Sequence, residues 1–453
     1  AATTGPSIAG LDWSAYFADA RLRELIGLAL QHNRDLQAAG LNIQRAQAQY
    51  QIRSAAQLPT VNAAGTASVS GNTDTTIQKY QVGLATTAYE LDLWGRVANL
   101  RDAALQNYYA TQSAERAVQI ALIGQIAQAF VTLAADQEQL RLAQQTHQVQ
   151  QQLLTLNQKR LQVGIGSAVP VRQSELSVET ARLAIGTYQT LIEQDKNLLR
   201  LLVGTDLPDT ALPSRLPAQL ASPATLSTGV PSDLLRNRPD LAQAEYSLSA
   251  AGANLAAARA AFYPTVTLGG QVGLSADRVG DLFKSGAFGF SIGPSISLPI
   301  FDHGARQANL QVSEVEQQLA LTTYQKAIQT AFREVADVQA TRQFLHDRLQ
   351  AQRRLVSASE GNYQLSQARN RAGLDSNLSV LDAQRQLFNA QQGQISLQQA
   401  ALLSEVNLYK ALGGGATAVS PTPPAAQAGS SGGTTGSGEG SIPLSSQASA
   451  TLP

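Results

Sequence analysis

Phe288-Gly-Phe-Ser-Ile-Gly-Pro-Ser-Ile-Ser-Leu-Pro-Ile300 decides the fold, because its side chains alternate. Phe288, Phe290, Ile292, Ile296, Leu298 and Ile300 share one face, and Gly289, Ser291, Gly293, Ser295 and Ser297 the other. A period of two predicts a strand. An apolar face backed by small polar groups suits a strand with lipid on one side and water on the other, although a half-buried soluble strand alternates in the same way. A helix follows almost at once: from 305 to 372 the only breaker is Gly361, with no proline. At ~1.5 Å per residue it would run roughly 100 Å, longer than a globular domain is wide.

Both features recur outward from this stretch. Val266, Leu268, Val272 and Leu274 alternate against Thr265, Thr267, Gln271 and Ser275, and weaker alternation runs through 61–70 and 80–93. A second unbroken stretch, 97–162, contains only Gly124. Ile123, Ile126, Phe130, Leu133, Gln137 and Leu140 follow 3-4 spacing within it. Tyr324, Ile328, Ala331, Val335, Val338, Arg342, Leu345 and Leu349 do so in the other. Both predict coiled-coil seams. The remaining faces are rich in Ala and Gln, which pack closely and meet water without strong repulsion, as the wall of a helical tube requires.

The halves of the chain repeat. Arg160-Leu-Gln-Val-Gly-Ile-Gly-Ser167 matches Arg369-Asn-Arg-Ala-Gly-Leu-Asp-Ser376 at an offset of 209 residues, and Pro59-Thr-Val61 matches Pro264-Thr-Val266 at 205. A duplicated unit of helix, two strands, long helix, tight turn and helix is therefore expected. The first repeat, 1–210, carries strands at 59–71 and 79–94, a long helix at 96–162 and a helix at 170–203. The second, 211–414, carries a helix at 232–262, strands at 264–276 and 287–301, a long helix at 305–372 and a helix at 376–411. From 415 to 453 the chain is Gly, Ser, Thr, Ala and Pro and is expected to be disordered, being too poor in apolar groups to offset its ordering entropy.

Composition closes off other classes. The 33 basic and 33 acidic residues leave no net field for nucleic acid. There is no Cys, hence no disulfide and no thiolate chemistry, and His32, His147, His303 and His346 are scattered away from ligand spacing. No nucleophile elbow, phosphate loop or zinc-binding helix is present, so no catalytic residue, cofactor or metal is expected. No run of about 18 apolar residues occurs, which argues against a membrane-spanning helix and leaves a barrel open. Four strands cannot close a barrel, and lipid forbids an open sheet edge. If the strands lie in the membrane, the chain must oligomerise, three copies giving about 12 strands.

Several motifs carry a family resemblance. Leu11-Asp-Trp13 with Tyr16-Phe17, Tyr89-Glu-Leu-Asp-Leu-Trp-Gly-Arg96, Leu234-Leu-Arg-Asn-Arg-Pro-Asp-Leu241, Ala257-Ala-Arg-Ala-Ala-Phe-Tyr-Pro264 and Glu405-Val-Asn-Leu-Tyr-Lys-Ala-Leu-Gly413 resemble the outer membrane factor (TolC-like) family. Within that family the chain is similar to OprM-type channel lipoproteins of resistance-nodulation-division (RND) multidrug efflux pumps. The resemblance covers nearly all of 11–414. It implies a mainly α fold with membrane β: a homotrimer with a 12-stranded barrel in the lipid of the Gram-negative outer membrane and a coiled-coil α-helical barrel crossing the periplasm. It further implies a periplasmic adaptor (membrane fusion protein) and an inner-membrane RND transporter as partners, the chain itself being a passive gated duct. Type I secretion uses the same architecture. A periplasmic coiled-coil adaptor or scaffold would share the hairpins but needs no two-faced strand. Family members usually carry a lipidated N-terminal cysteine; here Ala1 either lies after it or the chain has no such anchor.

The resemblance also assigns sites. It places Leu378 and Asp382 at a periplasmic constriction, with Arg385 in the link that holds the helices together. Without the resemblance, Asp382 and Arg385 make a solvated pair within one helix. Pro170 stands where the family commonly has an acidic residue, which leaves Arg172 and Gln173 as that hairpin's gate candidates. At the tips, Gly164, Ile165, Ser167, Gly373, Leu374 and Ser376 are the expected adaptor contacts, and turn chemistry alone would also account for them.

Overall fold

The structure is a computed structural model describing residues 12–221 and 238–414. Its elements, in chain order, are α1 (Trp13–Tyr16), α2 (Ala20–His32), α3 (Arg34–Ala55), β1 (Asn62–Gly71), β2 (Thr76–Leu91), α4 (Arg96–Gln162) and α5 (Ala168–Val203). The second half supplies α6 (Pro239–Ala260), β3 (Thr265–Ala276), β4 (Phe288–Ser297), α7 (Ala305–Arg371) and α8 (Asn377–Ala411). Both long helices have 67 residues and start 209 residues apart. The described residues all fall in one compact unit, so the repeats are not separate bodies. The helix expected at 232–262 is observed as Pro239–Ala260; 232–237 and the expected disordered tail at 415–453 lie outside the described residues.

The four strands form an antiparallel meander in the order β1-β2-β3-β4. Its register gathers the alternating residues onto two faces. Val266 opposes Ile296, Val272 opposes Phe290 and Leu274 opposes Phe288, and on the other side of β3 Val82 opposes Leu274 and Leu84 opposes Val272. The reverse face pairs Gln271 with Ser291 and with Ala85, and Gln81 with Ser275 and Thr66. β2 is displaced from the expected 79–94 to Thr76–Leu91 and contains a bulge: Thr86 opposes Gly270, but Leu268 is met by Tyr89. Ala88, with φ 52°, absorbs the extra residue. The bulge shifts the parity, bringing Tyr89 and Leu91 onto the face of Val82 and Leu84, and this is why alternation in 80–93 is weak by sequence.

Each strand is continued by a helix: α3 runs into β1, β2 into α4, α6 into β3 and β4 into α7. The helices pack side by side in the matching order, α3 on α4, α4 on α6 and α6 on α7, with α5 on α4 and α8 between α4 and α7. The joints have a shared design. Gly95 (φ 74°) and Gly304 (φ 84°) take the left-handed turn before α4 and α7. Asp92 accepts from the backbone N–H of Val97 and Ala98, and Asp302 from that of Arg306, which meets the orphan donors of the helix starts.

The core lies midway along the helices, where Ile123, Ile126, Phe130 and Leu133 of α4 meet Leu22, Leu25 and Ile26 of α2, Leu199 of α5 and Val406 of α8. Tyr16, Phe17 and Tyr409 cluster at ring separations of 5.1 to 5.2 Å. Tyr16 donates to the Glu405 carbonyl, and the Glu405 carboxylate accepts from Leu220 and Ala221 N–H, so the first and last motifs of the sequence are packed together. One 18-residue window of α4 has a mean hydropathy of 1.6, enough by composition to cross a membrane, contrary to the sequence expectation. With 56% of the window buried within the chain, it is core helix.

The outer elements of both layers are uncovered. β1 and β4 are exposed throughout. On α3 the only buried residue is Ala46, and on α7 they are Ala331, Val338 and Ser359. Val312, Val315, Leu319, Phe332, Phe344 and Leu355 leave α7 with apolar groups in the open. Such a surface calls for a partner.

Candidate functional site

The hairpins end in matching turns. After α4, Ile165 N–H donates to Arg160 O and Gly164 N–H to Leu161 O; after α7, Leu374 N–H donates to Arg369 O and Gly373 N–H to Asn370 O. Gly164 (φ 75°) and Gly373 (φ 74°) supply the left-handed residue that closes this cap. Ile165 and Leu374 project into solvent at 78% and 69% exposure, and Ser167 and Ser376 are exposed beside them. The tips differ in one respect. Arg369 binds Asp375 through two N–H groups at 2.8 and 3.0 Å, whereas the repeat puts Gly166 at the corresponding place in the first hairpin. Ser376 accepts from Ser379 N–H, and Ser167 makes no such cap.

Just above the tips, α4, α5 and α8 flank a partly open cavity of about 370 Å³. Gln173 of α5 and Leu378, Asp382 and Arg385 of α8 line it together with Leu176, Leu381 and Phe388. Four of the five expected gate residues thus share one space. Arg172, the fifth, instead pairs with Glu175 at 2.8 Å, which raises the pKa of its guanidinium. Asp382 accepts from Arg385 at 2.6 Å and from Gln386 at 2.9 Å, an exposed pair within one helix. Pro170 sits in the first turn of α5, where its missing N–H leaves no bond unmade.

Two groups escaped the sequence reading. Gln150 and Gln384 are almost fully buried at the wall of this cavity, each with its side-chain oxygen unpartnered. Asp136 of α4 and Asp195 of α5 meet across the first hairpin. Among the described residues, no cluster of three or more His, Cys, Asp or Glu could hold a metal.

A sheet with one lipid-compatible face, run strand by strand into antiparallel helices of roughly 100 Å, defines a class: channel proteins that join a membrane β-barrel to a helical tube. The family described as outer membrane efflux protein matches residues 25–205 and 230–414, and the chain belongs to that family. The toluene efflux pump outer membrane protein TtgC of Pseudomonas putida is 43% identical over 413 residues, covering 89% of this chain and 85% of the relative. Outer membrane protein OprJ of Pseudomonas aeruginosa is 38% identical, covering 91% and 88%. The open state of the Neisseria gonorrhoeae MtrE outer membrane channel superimposes with a TM-score of 0.82 at 36% identity, over 90% of this chain and 92% of that one. The chain is an outer-membrane channel component for efflux, extending from the outer membrane into the periplasm.

Proposed function

We propose that three copies of this chain assemble into a passive, gated duct that serves a tripartite multidrug efflux pump and catalyses no reaction. The observation that carries this reading is the pairing of uncovered edges. β1 with α3 on one side and β4 with α7 on the other remain open at matching places in the two layers. Joining β4 and α7 of one copy to β1 and α3 of the next satisfies both at once, and three copies give a closed barrel of about 12 strands. A closed barrel leaves no strand edge unpaired in lipid.

At the periplasmic end, threefold symmetry would bring three Leu378 and three Asp382 around the axis. The leucines make an apolar collar that resists wetting, and the carboxylate ring favours cations. In the assembly Arg385 belongs to the link between helices, and Arg172 and Gln173 are the first hairpin's contribution to the gate. Gly164, Ile165, Ser167, Gly373, Leu374 and Ser376 offer small and apolar groups to a periplasmic adaptor, through which an inner-membrane RND transporter supplies the energy. The names of the relatives, a toluene efflux protein among them, support export of drugs and apolar solvents. Native mass spectrometry of the detergent-purified protein tests the assembly: a mass of three chains is expected, and a monomer that forms no conducting pore in planar bilayers overturns the reading.

A further inference from the structure

Residues equally far from the junction of Ile165 and Gly166, in the tip of the α4–α5 hairpin, face each other across its seam. Asn157 donates to Ser174 at 2.8 Å, both buried. Three heptads farther from the turn, 21 residues on each helix, stand Asp136 and Asp195. Gln150 with Ala181 and Ala143 with Tyr188 occupy the layers between. The register therefore sets the two carboxyl groups opposite each other, close enough for each to act on the other's charge. Two ionised carboxylates can only accept and repel, so the pair can bond only when one of them holds a proton. The Asp195 Oδ2 atom is buried without a hydrogen-bond partner.

Among the described residues, no cation contributes to the shift of either carboxyl. On α4, Arg141 binds Glu138; on α5, Lys196 binds Glu193 and Arg200 binds Asn197. Arg21 of α2 is held by Asp19, and Arg23, Glu24, Asp206, Asp209 and Arg215 complete the charges on α2 and the segment after α5. α8 carries no charged residue between Arg385 and Glu405, and at this level it presents Gln392, which donates to Tyr188.

We propose that Asp136 and Asp195 form a one-proton clasp on the α4–α5 coiled coil, closed while they share the proton and forced apart by like-charge repulsion when it leaves. Burial and the Asp136 carboxyl push Asp195 up to about 7, and burial raises Asp136. Folding thus binds a proton. The stabilisation is whole below the ordinary carboxyl value of 3.8 and is lost as the pH rises through about 7. The clasp belongs to one hairpin alone: 209 residues on, the corresponding positions are Leu345 and Ser404.

The absence of native cysteine allows spin labels to be placed at will. Pairs at Gln151 with Glu179, and at Glu360 with Asn389 in the second hairpin, would be introduced into the full chain, diluted with unlabelled chain in the assembled protein. Pulsed electron paramagnetic resonance should give a narrow first-hairpin distance near pH 5.5 and a broader or longer one near about pH 8.5, with no change in the second. Asp195→Asn should abolish the response. So should Asp136→Leu with Asp195→Ser, which copies the neutral layer of the second repeat and guards against misfolding of the single variant. The proposal is overturned by a pH-invariant first hairpin, by an equal response in the second, or by a response that survives in these variants.

Discussion

Arg385 reaches back one turn along α8 to hold Asp382 at 2.6 Å, and Gln386 holds the other carboxylate oxygen at 2.9 Å. The chain thus spends the polar capacity of Asp382 on its own helix, and an exposed pair of this kind contributes only a few tenths of a kcal/mol. Any importance it has must come from its position, on the wall of the cavity beside Leu378. Replacing both residues, Asp382→Ala with Arg385→Ala, should leave the melting temperature within a few degrees and raise single-channel conductance in planar bilayers. Unchanged conductance would remove both from the gate.

The two faces of the sheet set up an opposite pair of outcomes. Ile292 lies on the apolar face and is 69% exposed in a single chain, while its neighbour Ser291 lies on the polar face opposite Gln271. Ile292→Lys should cost about 2–4 kcal/mol if that face meets lipid near mid-membrane, and should sharply reduce outer-membrane yield after cell fractionation. Ser291→Lys should insert normally and change ion selectivity in bilayers. Equal yields of the two variants would place the sheet outside the membrane.

The long helices, the turns and the duplication were legible because each rests on local sequence: the absence of breakers, a glycine at each reversal, a constant offset. The seam residues from Tyr324 to Leu349 show how far this reaches, since all eight are buried or half-buried on a largely open α7. What stayed hidden depends on distance in space. The parity shift at Ala88 is invisible until β2 is laid against β3, and the Asp136–Asp195 contact until the hairpin is folded. Of the expected gate, only the pairing of Asp382 with Arg385 could be seen from spacing. That Gln173 joins them required knowing which side of α4 carries α8.

Arg238 is the most heavily committed charge in the described structure. Almost fully buried, it donates to Asp240 at 2.7 Å, to Glu334 at 2.9 Å and to the carbonyl of Ala411 at 3.2 Å, tying the start of α6, the middle of α7 and the end of α8 together. Arg238→Ala would leave a carbonyl and two half-exposed carboxylates without their shared cation. A loss of roughly 3 kcal/mol is expected, toward the low end for a broken buried pair because the carboxylates retain water. Guanidinium unfolding followed by circular dichroism measures it, and a loss under about 0.5 kcal/mol would mean that the cluster is dispensable.

Ala88 tests the bulge directly. Its positive φ lets β2 carry one more residue than β3 between the Thr86 and Tyr89 pairs, and the Tyr89 hydroxyl then reaches the carbonyl of Gln57 at 3.0 Å. Deleting Ala88 would set Thr87 opposite Gly269 in regular pairing and keep Tyr89 opposite Leu268, so Tyr89 and Leu91 stay on the apolar face and Glu90 on the polar one. The Glu90–Arg96 ion pair that braces the joint to α4 should survive. A one-residue slip would move a whole row of side chains across the sheet, but this deletion causes none, so the barrel should still assemble in native gels; loss of assembly would mean that the bulge itself is required. Ala88→Gly keeps the count and favours the positive φ, and should assemble with a melting temperature equal to or above that of the unaltered chain.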